Sequence, residues 1–109
     1  MFAKTPSPPY YAVIFSSLQS DDSEGYAEMA DAMEALALEQ PGYLGIESAR
    51  DGLGITVSYW KDEASILNWK KHVDHLRAQT EGRNRWYDGY ITRVCRVERD
   101  YSFGSCFET

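Results

Sequence analysis

Two short segments that alternate between apolar and polar residues, YLGIESAR and GITVSYW, flank the Asp-Gly-Leu of residues 51–53. An Asp-Gly pair between such segments is a strong signal for a tight β-hairpin. Successive side chains of a strand point to opposite faces. In the second segment, one face is predicted to carry Ile55, Val57 and Tyr59, and the other Thr56, Ser58 and Trp60.

Further elements on either side of this hairpin complete the order β-α-β-β-α-β. YYAVIFSSL and YITRVCRVER are rich in aromatic and β-branched residues and are typical of strands. Apolar residues recur at helical spacing after residue 25, where Asp21 to Ser23 are predicted to supply the cap and Pro41-Gly42 the end. A second helix is predicted from a cap at Asp62 to a break at Gly82.

This order is that of the ferredoxin-like split βαβ pattern, an α+β fold with a four-stranded antiparallel sheet covered on one face by two helices. The other face of the sheet also needs covering, and a second copy of the chain is the simplest cover. We therefore expect a homodimer. We predict an extended, proline-rich arm over residues 1–9, one domain over residues 10–99 and a tail over residues 100–109.

The charge balance and the apolar runs exclude several function classes. A net charge of -6 repels phosphate backbones and anionic lipid surfaces, so neither nucleic acid nor a membrane is an expected partner. The longest apolar run, Tyr10 to Phe15, is too short to span a bilayer. Two cysteines do not make a disulfide framework. These features predict a cytoplasmic protein.

The two histidines of the chain, His72 and His75, lie three residues apart in the stretch NWKKHVDH. Both imidazoles of such a pair can point to the same side of a helix. A metal site needs a third and usually a fourth ligand, and the spacing indicates none. The chain also lacks a GxGxxG motif and a P-loop. We therefore predict no metal and no nucleotide cofactor; haem ligation and simple surface hydrogen bonding stay open for the histidines.

Aromatic residues are concentrated in the second half of the chain. If the second helix folds across the sheet they would cluster, either as core or as the lining of a cleft for a small planar ligand. The residues concerned are Tyr59, Trp60, Trp69, Trp86, Tyr87 and Tyr90.

Four short motifs follow one another along the chain. They are PG-x-x-G before the second strand, YW at the end of the third, W-K-x-H-x-x-H in the second helix and a G-R-x-x-W-Y segment. In these, the chain resembles the antibiotic biosynthesis monooxygenase (ABM) family over residues 10–99, and most closely its small single-domain bacterial members. The resemblance implies a ferredoxin-like protomer, a dimer whose sheets form an α/β barrel, and a cleft between sheet and helices.

The resemblance implies a cofactor-independent monooxygenase acting on a small aromatic or quinol-like compound, whose anion itself reduces dioxygen in an apolar pocket. The catalytic candidates are Asn68, Trp69, His72 and Tyr87, and the pocket candidates are Tyr59, Trp60, Trp86 and His75.

Two other functions stay open. One is a non-catalytic dimer that binds a small ligand or has a stress-related role. The other is haem binding or degradation. Trp60 and Trp69 resemble the two tryptophans that flank a helix in the haem-degrading branch of the family. From that branch the chain departs by having no Asn in its first strand and by the early position of its histidines.

Overall fold

A computed structural model describes residues 2–80 and 85–107, with side chains described except at 77–80. The elements are β1 (Tyr10–Gln19), α1 (Tyr26–Leu38), β2 (Tyr43–Asp51), β3 (Leu53–Trp60), α2 (Glu63–Thr80), β4 (Tyr87–Val97) and a short 3₁₀ helix (Ser105–Phe107). The strands form one antiparallel sheet in the order β2-β3-β1-β4. The predicted α+β, β-α-β-β-α-β fold is therefore confirmed.

The predicted hairpin joins β2 to β3 through a single residue. β2 ends at Asp51, β3 begins at Leu53, and Gly52 between them has φ +78°. This left-handed conformation is costly for any residue with a side chain. The turn sets the register in which Arg50 lies opposite Gly54 and Ser48 opposite Thr56.

The sheet has two faces of different character. We call the face that carries Trp60 the helix-side face, because Trp60 stacks on Trp69 of α2. Strand pairing places these residues on the helix-side face: Tyr11, Val13, Phe15 and Ser17 of β1, Tyr43, Ile46, Ser48 and Arg50 of β2, Gly54, Thr56, Ser58 and Trp60 of β3, and Tyr90, Thr92, Val94 and Arg96 of β4.

The start of α1 differs from the prediction. The residue before the helix is Gly25, with φ 80°, and it makes no side-chain capping bond. Asp22 instead accepts a hydrogen bond from the backbone N–H of Glu24 at 3.2 Å, which closes a turn in the loop before the helix. The Asp21–Ser23 cap is therefore wrong, because the helix begins at Tyr26 and Gly25, in the left-handed conformation, takes the N-cap position. The helix ends at Leu38, shortly before the predicted stop at Pro41-Gly42.

The start of α2 matches the prediction. Oδ1 of Asp62 accepts hydrogen bonds from the backbone N–H and the hydroxyl of Ser65, at 2.8 and 2.7 Å. These bonds lower the pKa of the Asp62 carboxyl. The predicted break at Gly82 lies outside the described residues. Neither helix, over the described ranges, combines the length and the apolar character that crossing a bilayer requires.

We call the other face of the sheet the open face. The N-terminal arm and the tail cover one end of it: the Ala3 N–H donates to Glu47 at 2.9 Å, and the Tyr10 hydroxyl donates to Asp100 at 2.6 Å. At the opposite end four large apolar side chains are exposed. They are Leu18, Leu53, Ile55 and Ile91.

Tyr59 ties β3 to β2 on the open face, and its titration gives a test of this packing. Its hydroxyl donates to Oε1 of Glu47 at 2.7 Å. Burial, and then this bond, raise the pKa of Tyr59 from 10.0 to about 12. The neutral phenol therefore stabilises the fold fully below pH 10, and its contribution is lost as the pH rises from 10 through about 12.

We predict that Tyr59→Phe makes the free energy of unfolding fall less steeply with pH in this alkaline range. Urea unfolding at intervals between about pH 8 and about pH 11.5 measures the slope. Tyr101→Phe is the matched control, because Tyr101 is 86% exposed and should leave the wild-type slope unchanged. Equal slopes for wild type and Tyr59→Phe would contradict the burial of this phenol.

Candidate functional site

A stack of two tryptophans joins α2 to one end of the helix-side face. The rings of Trp60 and Trp69 lie 5.8 Å apart at an interplanar angle of 27°, and Tyr43 meets Trp60 edge-on at 5.5 Å. Trp60 is 0% exposed, and its Nε1 donates to Ser58 Oγ at 2.9 Å. The two indoles therefore fill the space between β3 and the first half of α2.

A second group of rings, which we call the tyrosine cluster, consists of Phe15, Tyr26, Tyr87 and Tyr90. Phe15 contacts Tyr87 at 5.5 Å and Tyr90 at 5.3 Å, and Tyr26 of α1 meets Tyr87 at 5.9 Å. Tyr11, the partner of Trp60, precedes Phe15 by four residues on β1. This is about 13 Å at the usual rise of a strand. The tyrosine cluster and the tryptophan stack therefore stand at opposite ends of the same face.

Trp86 connects the tyrosine cluster to the loop before α1. Its Nε1 donates to the carbonyl of Glu24 at 2.7 Å, and its own carbonyl accepts from the N–H of Ser20 at 2.8 Å. The Arg85 guanidinium lies 5.1 Å from the centre of its ring. Trp86 is buried, and its indole N–H is satisfied by the backbone. These contacts make Trp86 a structural link.

Small side chains form the sheet surface between the two groups of rings. Val13 and Ser58 lie between the two groups, in one row with Ile46 and Val94, and Ser48 and Thr56 lie in the next row, beside Phe15. We call this part of the sheet surface the helix-side cleft. The strand register gives Val13, Ser48, Thr56 and Ser58 as its floor, and its ends are the tryptophan stack and the tyrosine cluster.

Two aliphatic residues of α2 follow Trp69 at helical spacing. Val73 and Leu76 come four and seven residues after Trp69, and both are half-buried. An amphipathic helix presents positions i, i+4 and i+7 on one side. Aliphatic side chains therefore line the same side of α2 as the tryptophan that anchors it.

Arg50 stands at the tyrosine-cluster end of the cleft. Its Nη2 donates to Ser17 Oγ at 2.6 Å and its Nη1 to the Ser17 carbonyl at 3.3 Å. Arg50 was not among the site residues predicted from the sequence. The signal was present, since the Asp-Gly turn pairs Arg50 with Gly54, and a glycine opposite an arginine lets a long side chain lie across the strand.

The eight predicted site residues do not form one group. Trp60 and Trp69 are in contact, and Tyr87 and Trp86 both contact Tyr26 at the other end of the cleft. Tyr59 lies on the open face, bonded to Glu47, so it does not share a pocket with Trp60.

The three polar candidates on α2 are exposed. Asn68 donates to Gln40 at 3.1 Å, which ties α2 to the turn before β2. His72 and His75 both lie on the exposed part of the helix. No group of three or more His, Cys, Asp or Glu side chains converges to hold a metal within the described part of the chain. The sheet positions of the helix-side face carry neither carboxylate nor imidazole.

Comparison with known proteins relates the chain to a family. The sequence model described as antibiotic biosynthesis monooxygenase matches residues 9–81. The uncharacterized protein YqjZ of Bacillus subtilis is 52% identical over 103 residues, which cover 93% of this chain and 90% of YqjZ.

Two further proteins are more distant. Jasmonate monooxygenase ABM of Pyricularia oryzae is 29% identical over 94 residues, which cover 80% of this chain but 43% of that protein. The chain thus spans less than half the length of that relative. SnoaB, a cofactor-independent oxygenase from Streptomyces nogalater, has a similar fold, with a TM-score of 0.62 and 11% identity over 84% of this chain and 95% of SnoaB.

We predict that the tryptophan stack contributes strongly to stability. Trp60→Ala removes a fully buried ring and leaves Trp69 without its partner, so the free energy of unfolding should fall by about 3–5 kcal/mol. Leu67→Ala is the matched control, because Leu67 lies on α2 near Trp69 and is 62% exposed. It should change the free energy of unfolding by less than about 0.5 kcal/mol. Urea unfolding followed by circular dichroism measures both. A loss in Trp60→Ala no larger than in the control would contradict the packing.

Proposed function

The chain belongs to the antibiotic biosynthesis monooxygenase family, and we propose that it is a cofactor-independent monooxygenase of a small aromatic or quinol-like compound. The observation that carries this proposal is the helix-side cleft. In this proposal a planar ring lies between the aromatic ends, over Val13, Ser48, Thr56 and Ser58, as pockets for small apolar ligands are generally built. The names of two relatives, a jasmonate monooxygenase and a cofactor-independent oxygenase, support the reaction class.

In this proposal the substrate supplies the electrons. Its anion reduces dioxygen, one oxygen atom enters the ring system as a carbonyl and the other leaves as water. The protein needs to bind the ring, exclude water and favour the deprotonated substrate. We assign the walls to Trp69 and Tyr87, with Trp60 fixing the position of Trp69.

The polar candidates take roles at the edge of the cleft. His72 lies one turn after Trp69 and is exposed, so we assign it the relay of the substrate proton to solvent. We assign His75, Trp86 and Asn68 structural roles, since Trp86 and Asn68 bond to the α1 region.

We predict oxygen uptake that depends on the protein when it is given hydroquinones and polycyclic phenols. Phe15→Ala removes a ring from the tyrosine cluster and should lower the rate at least about tenfold, because the wall formed by Tyr87 loses the ring that packs against it. Leu67→Ala is the control and should keep the wild-type rate. An oxygen electrode measures uptake above the rate without protein. No uptake with any compound of the panel would contradict the enzymatic proposal.

A second candidate is a ligand-binding protein without catalysis, and one observation favours it. The helix-side sheet positions hold no carboxylate or imidazole that would act as a general base. Saturable binding of a naphthol, measured by quenching of tryptophan fluorescence, with no oxygen uptake from any compound would decide for this candidate.

We also propose that the protein is a homodimer that buries the apolar end of the open face. Leu18, Leu53, Ile55 and Ile91 are 53, 48, 41 and 48% exposed in one chain. A second copy placed on this end would remove their surface from water. The family assignment supports this cover.

We predict that Ile55→Glu converts the dimer to a monomer, because a charge there would be buried without a partner. Light scattering coupled to size-exclusion chromatography should give twice the 12.4 kDa chain mass for wild type and the chain mass for the variant. Leu67→Glu, an exposed helix position, is the control and should stay dimeric. A wild-type mass of one chain would contradict the dimer.

A further inference from the structure

The guanidinium of Arg50 is hydrogen-bonded to the sheet on the helix-side face, although the residue as a whole is exposed. It reaches from β2 across β3 to Ser17 of β1, where Nη2 bonds the hydroxyl at 2.6 Å and Nη1 the carbonyl at 3.3 Å. Ser17 is 2% exposed, so this anchor lies in the body of the sheet. The two bonds leave guanidinium N–H groups of Arg50 available, because arginine has five.

Gly54 provides the space in which the guanidinium lies. A Cβ placed at Gly54 would come within 2.2 Å of both Cζ and Nη2 of Arg50. Any side chain at residue 54 would therefore displace the guanidinium from Ser17. The displacement would be easy, because the end of an arginine side chain can swing towards solvent.

Arg50 has no acidic partner in the described part of the chain, unlike two other arginines. Arg85 pairs with Asp22 at 3.2 Å and Arg96 with Glu98 at 3.4 Å. The whole chain carries a net charge of -6, so carboxylates are plentiful. Because no carboxylate of the described residues pairs with Arg50, its positive charge is available to bind the anion of a ligand.

The anchor also brings Arg50 beside the tyrosine cluster. Ser17 pairs with Gly54 on one side and with Tyr90 on the other, so the guanidinium lies about one strand spacing from the Tyr90 position. Tyr90 contacts Phe15 at 5.3 Å. A ring lying against Phe15 and Tyr90 would have its substituents within reach of Arg50.

We propose that Arg50 is the anion-binding residue of the helix-side cleft and pairs with a carboxylate or phenolate oxygen of an aromatic ligand lying against Phe15 and Tyr90. This rests on the proposed function, because it uses the same cleft. It also provides a way to favour the substrate anion where the floor of the helix-side cleft has no general base. A guanidinium that pairs with the phenolate favours the deprotonated substrate without accepting its proton.

The test compares two probes of equal shape, 2-naphthoate and its neutral amide 2-naphthamide, by quenching of tryptophan fluorescence. Wild type should bind the naphthoate about tenfold more tightly than the amide. Arg50→Gln should lose this preference and still bind the amide as wild type does. Arg50→Lys should keep part of it, because the charge remains but the two-pronged geometry does not.

Two glycine variants separate the position of the guanidinium from the charge itself. Gly54→Ala leaves Arg50 in the chain but displaces it, so naphthoate binding should fall to the level of Arg50→Gln. Gly89→Ala is the matched control, because a Cβ at this strand glycine meets nothing within 4 Å, and it should bind as wild type does. Circular dichroism melts of each variant confirm that binding is measured on folded protein.

The outcomes distinguish the two proposals. Equal binding of naphthoate and amide by wild type, or an unchanged preference in Arg50→Gln, overturns the role of Arg50 while the cleft itself stands. Binding of neither probe overturns both the role of Arg50 and the cleft. Loss of the preference in Arg50→Gln and Gly54→Ala, with the preference kept in Gly89→Ala, establishes Arg50 as the anion-binding residue.

Discussion

The register of the β2–β3 hairpin determines which side chains face the helices. Gly52, at φ +78°, closes the turn with one residue, and this places Trp60 on the helix-side face and Tyr59 on the open face. Because side chains alternate along a strand, a slip of one residue would exchange the two faces. The same register places Gly54 opposite Arg50. The tryptophan stack, the floor of the cleft and the anchor of Arg50 all depend on it.

This register gives the cleft a group of aromatic rings at each end. Trp60, fully buried, fixes α2 through Trp69, while α1 is joined to β4 through Tyr26 and Tyr87. The two helices are thus held by rings at opposite ends of the sheet, with small side chains between them. Arg96, opposite Tyr11 at the tryptophan-stack end, pairs with Glu98, whereas Arg50 at the other end has no carboxylate partner among the described residues. A ligand there would meet aromatic rings at both ends and an uncompensated positive charge at one, which suits an aromatic anion.

The sequence predicted those features that local interactions decide. The hairpin, the alternation in β3 and the Asp62 cap each depend on residues within a few positions of one another, and all three are confirmed. The prediction of the α1 cap was wrong because Gly25, and not one of the capping side chains at residues 21–23, takes the N-cap position. The periodicity of the sequence could not predict which aromatic residues belong to the tryptophan stack and which to the tyrosine cluster, because the contacts within each group join residues distant in the sequence. Arg50 and Ser17 are separated by 33 positions, so only the folded sheet brings them together.

The most direct test of the helix-side cleft is to follow the methyl resonances of the sheet by NMR while a neutral aromatic probe, 2-naphthol, is added. Neighbouring residues report opposite faces: Val13 and Thr56 face the helices, and Ile14 and Ile55 face the other way. We predict that the methyl resonances of Val13 and Thr56 shift with a saturable dependence on naphthol, while those of Ile14 and Ile55 remain in place. Shifts confined to Ile14 and Ile55 would contradict it, because they would place the ligand on the open face.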